Sequence, residues 1–266
     1  LAAWREARGE AQPDPTAYDL LHTLCQERDL PRELSSLDLW RAEGLLGGGE
    51  FMAVEAFVAA HHTHLLGEET LRARLALCFS AQGERSGWHL TPDRLAELVR
   101  DARSSSVAGL TAASLLGAQR VRGRQRTPAQ EQEALVAAEA QARAALARDP
   151  DYLPARVALA GALTRLGSPE AEAEWGRASE AAPRNALVPL FRLSVYRRQP
   201  EFERAPRDRF LALTEGTSSY ARTGHLRERG WARLLAKEAG AQRDLEEAVV
   251  ARPFDVKIQL GFGLLA

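Results

Sequence analysis

Four times along this 266-residue chain the same helical rhythm recurs: an alanine, a second residue four positions on, and another alanine three after that. The triplets are Ala53-Phe57-Ala60, Ala138-Ala142-Ala145, Ala171-Trp175-Ala178 and Ala241-Leu245-Ala248. Spacings of four and three put all three side chains on one face of an α-helix, and small residues at two of them admit a close neighbour. In three cases a proline follows five residues later, at Pro150, Pro183 and Pro253, whereas the first triplet has Leu65 there. Proline stops the helix because it lacks an N–H and biases its predecessor away from the α region. Pro150 to Pro183 is 33 residues and Pro183 to Pro253 is 70, or twice 35. A period near 34 accommodates two short helices and two turns.

The clearest unit is Asp151 to Pro183, DYLPARVALAGALTRLGSPEAEAEWGRASEAAP. Ala171, Trp175, Ala178 and Pro183 match the second half of the pattern W-x2-L-G-x2-Y, A-x3-F, A, P, and Gly167 marks the turn between helices. The chain therefore resembles the tetratricopeptide repeat, over residues 33–266 and most strongly over 130–255. The first half of the unit departs from the family in lacking its Trp and first Gly. The resemblance implies an all-α, right-handed α-solenoid of antiparallel helix pairs. Residues 1–32 would be N-terminal helices capping it, and residues 33–266 the repeat array, continuing beyond Ala266.

Apolar spacing and breakers predict helix pairs at 33–46 and 50–62, 68–82 and 91–103, 106–121 and 129–147, 152–166 and 169–181, 186–197 and 206–214, and 218–239 and 241–251. A further helix is expected at 16–28 and another at 1–9, and the last apolar run, from Phe254, reads as a helix in need of a partner. Pro200 and Pro206 fall where the fifth pair should turn. Ala, Leu, Arg and Glu dominate and favour helix, while the only lysines are Lys237 and Lys257 and the only asparagine is Asn185. With a net charge of −1 the chain as a whole is no general binder of nucleic acid or membrane surfaces. No run approaches the roughly 18 apolar residues that a membrane span needs. Cys25 and Cys78 lie in apolar patterns without framework spacing and read as small buried hydrophobes, consistent with a reducing, cytoplasmic setting. The chain opens on Leu1 with charges where a signal peptide is apolar, which reads as a fragment or processed chain.

Three stretches raise chemistry. His61, His62 and His64 lie within four residues and are followed by Glu68 and Glu69. They read first as a helix end, where imidazolium is favourable beside free carbonyls. The alternatives are half of a metal site built from His61, His64 and Glu68, or a pH-sensitive contact; HHTH is not the HExxH of zinc proteases. His22, His89 and His225 are scattered and form no motif. The arginines at 120, 122, 124 and 126 fill the longest connector and read as a solvated loop, with an acidic partner or nucleic acid as the other readings. LLGGGEF lacks the phosphate-loop frame and reads as a helix-to-helix turn.

In repeats of the resembled family the first helix of each pair lines the concave surface. That implies a partner-binding set of Tyr152, Arg156, Arg192, Tyr196, Arg222 and Trp231, residue types that dominate interface energetics. The other reading of Tyr152, Tyr196 and Trp231 is that they fill gaps between repeats. The family's carboxylate clamp of Lys and Asn has no counterpart. The function expected from this resemblance is a non-catalytic scaffold or adaptor for a protein or peptide, without cofactor or metal. The alternative is a helical-repeat sensory or regulatory segment of a larger bacterial signalling protein or transcription regulator.

Overall fold

Threonine followed by proline opens two of the helices, and the chemistry is local. Thr91 and Thr127 accept with their side chains from the amides of Arg94 (3.2 Å) and Gln130 (3.3 Å), and the prolines after them sit where no N–H is needed. At Thr127 the Gln130 side chain also accepts from the Thr127 amide at 3.0 Å, completing a capping box.

The computed structural model describes residues 15–80, 91–103, 106–120, 127–196, 200–215, 223–251 and 256–265, and among these residues all regular structure is helical. Fourteen helices follow one another. The first seven are α1 (Pro15–Glu27), α2 (Pro31–Gly47), α3 (Phe51–His61), α4 (Glu68–Ser80), α5 (Pro92–Asp101), α6 (Val107–Arg120) and α7 (Pro128–Leu146). The remainder are α8 (Leu153–Leu166), α9 (Ala171–Ala181), α10 (Leu187–Tyr196), α11 (Pro200–Thr214), α12 (Thr223–Ala236), α13 (Ala241–Ala251) and α14 (Val256–Leu265). The all-α expectation holds for the described residues. The helix expected at 1–9 lies outside them, as do Arg122, Arg124, Arg126, His89 and Arg222.

Each helix packs on the next along the chain, and α2, α4, α6, α8 and α10 also pack in that order on one another. The alanine triplets explain the closeness. Ala138, Ala142 and Ala145, then Ala171, Trp175 and Ala178, then Ala241, Leu245 and Ala248, are all buried. Trp175 is fully enclosed, and its indole N–H donates to Thr164 Oγ1 at 2.9 Å, so its polar edge is satisfied. Gly167 ends α8 in the left-handed region at φ +69°, as a helix C-terminal glycine should. At Gly230 a Cβ would stand 2.8 Å from Leu245 Cγ, so glycine is what lets α12 and α13 meet.

The first triplet behaves differently. Among the side chains of α3 that are described, Val54 and Val58 are buried, while Ala53 and Phe57 are half-buried and Ala60 is exposed. The helix is rotated one residue from the face the rhythm predicts, and this is the unit that lacks a closing proline. A second departure is α11, which begins at Pro200 and carries Pro206 inside, not at its start. An internal proline costs about 3 kcal/mol or more. The same helix buries Phe210 and Leu211, worth roughly 1.5–3 kcal/mol each, which offsets it.

Candidate functional site

Tyr18 and His22 are four residues apart on α1, so they share one face, and that face meets α2. On α2 the residue between Leu37 and Leu39 is Asp38, a carboxylate with no exposed surface. Tyr18 donates its hydroxyl to Asp38 Oδ1 at 2.6 Å. His64, in the turn after α3, donates from Nδ1 to Asp38 Oδ2 at 3.0 Å. That turn is fixed by Leu66, whose amide donates to the buried Ser35 hydroxyl of α2 at 2.9 Å. His22 brings Nε2 to 3.5 Å from Asp38 Oδ1, and this buried nitrogen makes no hydrogen bond.

His61 completes the group at the last residue of α3. Its Nδ1 lies 2.9 Å from the carbonyl oxygen of Phe57, and because a carbonyl only accepts, the proton resides on Nδ1 and the lone pair on Nε2. Phe57 stacks on the His61 ring at 4.2 Å and meets Tyr18 edge-on at 5.7 Å. The three imidazoles of His22, His61 and His64 stand 5.3, 5.7 and 5.8 Å apart, centre to centre. Donor atoms of His22, Asp38 and His61 all lie within 4.8 Å of one another.

Burial first, then the hydrogen bond and charge of Asp38, push the Tyr18 phenol far above its ordinary value, so it stays a donor. Burial pushes the His22 imidazole below its ordinary value against the pull of Asp38. Among the described residues the groups within ion-pair distance of Asp38 are imidazoles, His22 and His64. The Arg41 guanidinium, three residues along α2, stands 5.9 Å from the centre of the Tyr18 ring and not in an ion pair with the carboxylate.

The helix-end reading accounts for part of this. His61 and His62 both turn Nδ1 back to carbonyls of their own helix, at Phe57 and Ala59. It does not account for Asp38, or for His22, which read in the sequence as a scattered histidine outside any motif. Glu68 stands elsewhere: its Oε1 accepts from the Ala108 amide at 2.9 Å and caps α6. A signal for Asp38 existed, since an aspartate inside the apolar run LSSLDLW must find partners wherever that helix is buried.

The residues expected to bind a partner do not converge. Tyr152 is buried, with the Arg72 guanidinium 4.4 Å over its ring and its hydroxyl without a hydrogen-bond partner. Arg72 itself forks onto Glu43 of α2 at 2.7 and 2.9 Å and reaches Asp149 at 2.7 Å. Tyr152 thus serves as packing beneath an ion-pair network. Arg156 and Arg192 belong to α8 and α10 and donate to Glu174 and Glu172 of α9. Trp231 lies half-buried on α12, with its indole nitrogen 3.6 Å from where a Cβ on Gly261 would be. Tyr196 is the last residue of α10, and Arg222 lies outside the described residues.

Segments far apart in the chain also meet. Asn185, the only asparagine, donates from Nδ2 to the Leu46 carbonyl at 2.6 Å and accepts from the Leu187 amide at 2.8 Å. Phe79 and Phe191 approach to 5.2 Å. Comparison of the chain with protein-family models and with curated proteins finds no match in either. No described helix is long and apolar enough to cross a membrane.

Proposed function

We propose that this chain is a non-catalytic binding scaffold, a TPR-like right-handed solenoid whose inner face holds a protein or peptide. The observation that supports it is the order of packing, in which α2, α4, α6, α8 and α10 lie successively against one another. Helix pairs stacked in that way present an extended surface. Leu46, Phe79, Leu153, Val157, Val188 and Phe191 line a small apolar interstice on this row. Arg156 and Arg192 are carried by the same helices as that lining, where a partner's carboxylates would compete with Glu174 and Glu172 for them. A cytoplasmic setting belongs to it too, with Cys25 and Cys78 buried as free thiols.

The test is peptide display against the whole chain, followed by photo-crosslinking from position 192 on α10 and from the exposed Val136 and Val250 on α7 and α13. Selected peptides that crosslink from position 192 and lose at least tenfold in affinity on Arg192→Glu support the scaffold. Peptides that crosslink only from positions 136 or 250, or no binder at all, overturn it.

A further inference from the structure

We propose that His22, Asp38 and His61 form a binding site for a divalent transition metal of the zinc type, with His64 and Tyr18 orienting the carboxylate. This site stands apart from the scaffold surface, and neither proposal depends on the other.

Three features of the geometry carry it. The donor atoms of the three side chains already lie within 4.8 Å of one another. Zinc at 2.0–2.1 Å from tetrahedral ligands needs them roughly 3.3 Å apart, so closing the site takes side-chain rotation on the order of 1 Å and no backbone rearrangement. His61 is prepared as a ligand, because its bond to the Phe57 carbonyl fixes the ring and leaves Nε2 with its lone pair. An imidazole whose second nitrogen donates to a backbone carbonyl is the usual support for a metal-bound histidine. Asp38 is held at both oxygens, Oδ1 by Tyr18 and Oδ2 by His64, and each oxygen keeps a lone pair for a cation.

The site also leaves two physical needs unmet that a cation supplies. His22 Nε2 is buried without a hydrogen bond, which is costly for a polar atom. Asp38 is a buried carboxylate whose ion-pair partners among the described residues are imidazoles. A doubly charged ion between them satisfies the nitrogen and compensates the carboxylate together. Two imidazoles and one carboxylate are borderline donors, which favours zinc, cobalt or iron(II) over magnesium or calcium. Three protein ligands leave one tetrahedral position for water.

The measurement is titration of the metal-free full chain with cobalt(II), read by visible absorption, beside zinc(II) titration by calorimetry. One equivalent of cobalt with the intense bands of tetrahedral coordination, displaced by zinc, is expected. His22→Ala and His61→Ala abolish that uptake, and His64→Ala weakens it roughly 10- to 100-fold as an orienting residue would. His62→Ala, whose exposed ring faces its own helix, leaves it unchanged. If an alanine variant fails to fold, nitrogen-15 NMR of the unaltered chain decides. Zinc-dependent shifts of the His22 and His61 imidazole nitrogens, with those of His62 still, uphold the site. Absence of stoichiometric cobalt uptake, uptake that survives loss of His22 and His61, or equal affinity for magnesium overturns it.

Discussion

Two aspartates in this molecule are buried to the same degree and are treated in opposite ways. Asp244, in the first turn of α13, is 1% exposed, and Asp38, midway along α2, is fully enclosed. Asp244 receives Arg229 on both oxygens at 2.8 and 2.7 Å and Arg233 at 2.7 Å, and Arg229 continues to the Thr214 carbonyl at 2.9 Å. Two permanent charges therefore face one carboxylate, in the forked geometry that makes arginine the strong partner. Asp38 has a phenol, one bonded imidazole and one imidazole that falls short of a bond. The first arrangement is finished as it stands, and it locks α12 to α13. The second is satisfied in hydrogen bonds at the carboxylate without a guanidinium on either oxygen, which leaves room for a cation there.

The comparison breaks first at Asp244. Asp244→Asn leaves two half-buried guanidinium groups around a buried site without a counter-charge and is expected to cost about 3 kcal/mol in a urea titration. A loss below 1 kcal/mol would mean that water, not the carboxylate, compensates those arginines. Arg229→Ala removes both forked bonds while Arg233 remains, and about 1.5–3 kcal/mol is expected from the same measurement. Tyr18→Phe deletes the phenolic donor to Asp38 and belongs at or just below that size, because hydrogen bonds to charged groups are worth about 1.5–3 kcal/mol.

How these two sites arose from the sequence also differs. Asp244, Arg229 and Arg233 lie within a single helix pair, and the triplet Ala241-Leu245-Ala248 announces that pair's packing face. The Gly167 turn and the three buried triplets were likewise readable, because each depends on residues within one or two turns. The histidine cluster joins residues 20 and 26 apart on separate helices, and it exists only because α3 turns Val54 and Val58 inward in place of Ala53 and Ala60. Rotation of a helix by one residue is decided by its neighbours and leaves little mark on its own periodicity. Asn185 reaching Leu46 across 139 residues is more remote still. The proline inside α11 defeated a sound local rule, since the burial of Phe210 and Leu211 outweighs it.

The smallest effect is the most informative about Asp38. Asp38→Asn keeps an oxygen that accepts from Tyr18 and removes a charge whose ion-pair partners among the described residues are imidazoles, so the desolvation it relieves offsets the strength its hydrogen bonds lose. The net change is expected to lie within about 1 kcal/mol in the presence of a chelator, far from the value for the same substitution at Asp244. The cost of Tyr18→Phe should also shrink in the Asp38→Asn background, which a double-mutant cycle reads directly. If Asp38→Asn instead costs as much as Asp244→Asn, then His22 and His64 already act as full counter-charges. The cluster would in that case be a finished ion-pair site like its C-terminal counterpart, with no unmet charge left for a metal to neutralise.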